Sequence, residues 1–83
     1  MIGGRQIRAA RALLGWSTAV TAKKAGLERK TVERLEGVDG VPSGRIQSLT
    51  ALQKAFEKEG VEFIGEPDKG PGARFWEDRV VGN

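Results

Sequence analysis

Arg29, Lys30, Glu33 and Arg34 fall within six residues of an 83-residue chain, so the first chemistry to weigh is charge-assisted hydrogen bonding. A guanidinium offers a rigid fork of donors and an ammonium a compact point charge, and both favour anionic or acceptor-rich partners. Other chemistries are poorly provided for. With no Cys and no His, the commonest metal ligands and the usual nucleophile and base pairs are missing, and no disulfide can form. The carboxylates show no spacing that marks an acid and a base facing each other across a cleft. Gly65 to Gly72 ends in Gly-Pro-Gly, but it has neither the strand–loop–helix setting nor the Lys-Ser or Lys-Thr of a phosphate-cradling loop, so a hairpin turn is expected there. The expectation is a non-enzyme without metal or cofactor.

The net charge of +3 says little, but its distribution says more. Through residue 35 there are eight Lys and Arg against two acidic residues, whereas the remainder holds six basic and nine acidic ones. A basic half with a mildly acidic remainder suits a polyanion such as nucleic acid, although the same residues would also serve an ordinary solvated surface. At this length a single small core is expected. Arg5, Arg8 and Arg11 interrupt the N-terminal segment, leaving no apolar run suited to a secretory leader or a membrane span, and the expected setting is soluble and cytoplasmic.

The elements that must position the basic cluster follow from periodicity. Ile7, Ala10 and Leu14 form the apolar stripe of a first helix over residues 4 to 14, which Gly15 ends. Ser17 is a suitable N-cap for a second helix over 18 to 25, with Gly26 as its left-handed stop and Leu27 an anchor in the turn. A third helix is expected over 28 to 36, its Glu28 suited to a helix N-terminus and its Val32 and Leu35 buried. Residues 37 to 44 read as loop. A fourth helix carries the stripe Ile46, Leu49, Leu52 and Phe56, with Ser43 a candidate cap and Gly60 the stop. The period then becomes alternating, so 61 to 64 and 73 to 76 read as strands of a hairpin. Such a hairpin is marginal alone and must dock on the helices or on a second copy.

Between Ser17 and Glu36 the chain reads STAVTAKKAGLERKTVERLE. A small residue at 22, glycine four positions later, and apolar residues at 32 and 35 let two helices cross closely and turn the outer face of the second toward solvent. With the flanking LLGWS and the TVERLEG ending, this resembles the Cro/lambda-repressor-like (XRE-type) helix-turn-helix family over residues 5 to 56. The resemblance implies a mainly α fold with a four-helix lambda-repressor-like domain over 1–59, and the alternating period adds a short C-terminal β-hairpin and tail over 60–83.

It also implies a double-stranded DNA partner, read by the helix over 28 to 36 in the major groove. By position, Arg29, Lys30 and Arg34 become base readers, donating to guanine O6 and N7. Glu33 shares that face and either accepts from a cytosine amine or pairs with Arg29 or Lys30. Ser17, Thr18, Thr31 and Arg45 become backbone-phosphate contacts, with Ser17 and Thr31 equally able to act as local caps. Arg11 and Glu36 match a structural ion pair that orients the reading helix. Trp16, Leu27, Leu52 and Phe56 read as core. Three positions depart from the family pattern: Thr18 where Gln is common, Thr21 where Leu is usually buried, and Glu28 where Ser or Thr usually caps.

One small module makes few contacts, so a homodimer on an inverted-repeat operator is expected, with the hairpin's unpaired edges as the candidate dimer element. The rival reading is an antitoxin-like or bridging protein in which this fold, or its hairpin, mainly holds a protein partner. Exposed hydrophobes on the outer face of the third helix would favour it, and the basic residues there favour DNA.

Overall fold

The computed structural model describes residues 1–40 and 46–77, and the expected Ser43 cap, the Arg45 contact and the tail from Asp78 lie outside the described residues. The chain is mainly helical among them: α1 (Gly4–Leu14), α2 (Thr18–Ala25), α3 (Arg29–Glu36) and α4 (Ile46–Lys58) precede an antiparallel hairpin of β1 (Val61–Glu66) and β2 (Lys69–Phe75). No helix among the described residues is long and apolar enough to cross a membrane.

The core gathers one apolar face from each element. Ile7, Val32, Leu35, Leu52 and Phe56 are buried, with Val61 entering from the hairpin. The Trp16 ring stacks on Phe56 at 5.7 Å, and Phe63 meets the same ring edge-on at 6.0 Å. Ile46 departs from the expected α4 stripe and is 62% exposed. At about 100° per residue, Ser48, Leu49, Leu52 and Phe56 share one arc of the helix, and Ile46 lies roughly a right angle away from its centre. Ser48 is buried in its place.

The helix ends obey local stereochemistry. Gly15 and Gly26 end α1 and α2 in the left-handed region, at φ 68° and 69°. The Ser17 hydroxyl accepts from the Val20 N–H at 3.1 Å, as an N-cap should. Expected to open the third helix, Glu28 is instead the extended residue before it, at φ −77° and ψ 147°, and its side chain makes no capping bond. The boundary moves by one residue because a capping position needs extended rather than helical dihedrals.

Both strands run longer than expected, 61–66 and 69–75, and the eight-residue loop shrinks to a turn at Pro67-Asp68. Gly65 and Gly70 make this possible by adopting positive φ, 74° and 58°, where the register shifts between Ile64 and Glu66. The expected strand residue Trp76 lies beyond β2 with its ring exposed, although its N–H extends the ladder to the Gly60 carbonyl at 3.1 Å.

The hairpin docks on its own helices, β2 against α1 and β1 against α4. Gln6, buried in α1, ties them together. Its amide nitrogen donates to the carbonyls of Ile64 at 3.0 Å and Gly72 at 3.4 Å, and its oxygen accepts from the Gly3 N–H at 3.0 Å. A single nitrogen reaches both carbonyls only because Ile64 and Gly72 face each other across the ladder.

Candidate nucleic-acid interface

α3 owes its two-sidedness to spacing. Val32 and Leu35, 0% and 1% exposed, point into the core, while Arg29, Lys30, Glu33 and Arg34 are all exposed. On a helix the latter four cover an arc of about 140° opposite the buried pair. The structure therefore brings the four expected base readers onto one outward face. No apolar residue interrupts that face among the described residues. Within it, Arg29 Nε lies 3.2 Å from Glu33 Oε1, one helical turn away, which is the pairing with Arg29 named among the expected alternatives for Glu33.

α2 packs against α3, with Ala22 buried at 4% exposure and Gly26 making the turn between them. Leu27 packs partly buried against the core, and its N–H bonds the Ala22 carbonyl at 2.9 Å. Thr21, at the position of the usual Leu, is fully buried; its hydroxyl donates to the Ser17 carbonyl at 2.8 Å, so the polar atom is satisfied within its own helix. Val20 beside it is 41% exposed.

The expected phosphate contacts are distributed around this unit. Ser17 is exposed at the start of α2; its oxygen already accepts the capping bond and its hydroxyl hydrogen remains a donor. Thr18 and Thr31 are half-buried in the first turns of α2 and α3. Lys23 and Lys24, absent from the expected contacts, are exposed in the last turn of α2, and Lys24 Nζ sits 5.8 Å from the Trp16 ring centroid.

The far end of α3 is clamped to α1. Arg11 Nε donates to Glu36 Oε2 at 2.7 Å and Nη2 to Oε1 at 3.1 Å, a bidentate pair whose remaining Nη1 donates to the Trp16 carbonyl at 3.0 Å. One guanidinium thus ties α1 to the last turn of α3 and to the residue entering α2. A second clamp was not foreseen. Arg8 donates to the Glu36 carbonyl and, at 2.7 Å, to Asp39 Oδ1, while Arg5 lies 3.5 Å from Asp39 Oδ2. The Arg8 hydrogen bond, then the Arg5 charge, hold the Asp39 carboxyl below its ordinary value of 3.8. Arg5, Arg8 and Arg11 recur every third residue, so a shared face of α1 was visible in the sequence; their partner in the Gly-rich segment after α3 was not.

No protein-family model matches the chain, and no curated protein is significantly similar to it in sequence.

Proposed function

We propose that this chain is a sequence-specific double-stranded-DNA-binding transcriptional regulator with a lambda-repressor-like helix-turn-helix, acting in the cytoplasm as a homodimer on an inverted repeat. The observation that carries the reading is the α2–Gly26–α3 unit. Its second helix is anchored by Val32 and Leu35 on one side and presents Arg29, Lys30, Glu33 and Arg34 on the other. Its exposed face is polar throughout and carries the side chains best matched to base-edge acceptors, and the major groove admits a helix. Ser17, Thr18 and Thr31 stand beside it as candidate phosphate donors.

The test is selection of bound duplexes from a random pool, followed by titration of the winner. Arg29→Ala is expected to lose about 1–3 kcal/mol on the selected site and to relax preference at one base pair. No enrichment over random duplex would remove the DNA-reading function. The mass of the complex at saturation tests the dimer, and one chain per specific site would overturn it.

A protein partner on the hairpin is a second reading, supported by Trp76 at 64% and Ile64 at 40% exposure. The two roles are compatible, because the hairpin's inner face lies on α1 and α4 and the reading face lies on α3.

A further inference from the structure

Glu33 is the one carboxylate among four charged residues on the outer face of α3, where it lowers attraction to any phosphate backbone whatever the base sequence. The closest approach in its ion pair with Arg29 is from Nε, at 3.2 Å to Oε1, on the side of the guanidinium nearer the helix. The two terminal Nη nitrogens of a guanidinium are parallel donors that match guanine O6 and N7. The pair is weak in water, with the two side chains 66% and 49% exposed. It strengthens once a duplex displaces water from this face, because the local dielectric falls.

We infer that Glu33 is a specificity-determining positioning residue, holding Arg29 with its terminal fork turned to a guanine in the major groove while opposing binding to DNA that lacks one there. The inference rests on the reading of α3 as a DNA-reading helix. The carboxylate weakens every complex alike, whereas the oriented fork benefits only the complex with guanine at the Arg29 position, so the ratio between them widens. A pair that merely supported the helix would contribute equally to both.

The experiment uses the full chain, a random-sequence duplex, and selected duplexes differing only at the base pair whose preference Arg29→Ala abolishes. Glu33→Ala is expected to bind the random duplex about 3-fold more tightly at low salt, through loss of one repulsive charge. It is expected to lose about 5-fold or more of the guanine preference at that pair. Glu33→Gln, which keeps an acceptor oxygen, should fall between Glu33→Ala and the unsubstituted chain. In an Arg29→Ala background, Glu33→Ala should leave the remaining preferences unchanged.

An undiminished guanine preference in both Glu33 variants overturns the inference. So does a Glu33-dependent preference for cytosine that survives Arg29→Ala, since Glu33 would then read a base directly. In both cases the DNA-reading function stands. A chain that selects no duplex at all overturns that function, and the role of Glu33 with it.

Discussion

At the scale of single residues, the two clamps on the end of α3 differ in what their removal exposes. Glu36 is 13% exposed at its side chain, so Arg11→Ala leaves a nearly buried carboxylate and the Trp16 carbonyl without their donor. The expected loss is about 2 kcal/mol in urea unfolding, and the double variant Arg11→Met/Glu36→Leu should be less destabilised than either single change, because it removes both charges together. Asp39, by contrast, is solvent-exposed, and its contribution is conditional on pH. Its carboxyl titrates below 3.8 when folded, so the stabilisation is present above that value and is lost as pH falls through the lowered one. Asp39→Asn should therefore lower the melting temperature at neutral pH, and the gap to the unsubstituted chain should close on acidification below the ordinary carboxylate range.

At the scale of elements, glycines serve two separate purposes. Gly26 has φ 69° and open space where a Cβ would stand, so Gly26→Ala meets only backbone strain, about 1–2 kcal/mol in thermal unfolding. Gly4 has no such dihedral requirement, but a Cβ there would lie 2.1 Å from the Val38 carbonyl oxygen, which accepts the Gly4 N–H at 2.9 Å. Gly4→Ala must push the segment after α3 away from α1, and a loss of about 3 kcal/mol is expected from the same measurement. The turn glycine was legible because Gly26 follows a helical stripe and precedes another. Gly4 was not, since close approach of a distant segment leaves no local mark.

At the scale of the whole molecule, the hairpin is part of the core. Val61 is 2% exposed, Phe63 and Phe75 pack against the buried cluster, and Gln6 carries three of its hydrogen bonds from α1 to Gly3 and to both strands. Ending the chain after Gly60 should expose Phe56 and leave the Gln6 amide without its carbonyls. The expected outcome is loss of a cooperative thermal transition, with retained helical far-UV signal and weakened near-UV signal from Trp16. A sharp, undiminished transition would show that the helices stand without the hairpin. If dimers form as proposed, the surfaces left to them on the hairpin are its outer face, with the Glu62–Arg74 ion pair, and the exposed Ile64 and Trp76.

Periodicity and capping chemistry by themselves determined the four helices, the turn at Gly26, the existence of a hairpin, and the outward position of Arg29, Lys30, Glu33 and Arg34, because a helix of known phase has only one face left once Val32 and Leu35 are buried. The Arg11–Glu36 pair was reached through resemblance of pattern, and the structure supplied its bidentate geometry. What only the tertiary structure decided depends on residues far apart in the chain. Asp39 gathers Arg5 and Arg8 across more than thirty residues, and Gln6 is polar yet fully enclosed because two strand carbonyls arrive to meet it. In each case a side chain's partner or burial is set by what the fold brings beside it, which no local pattern encodes.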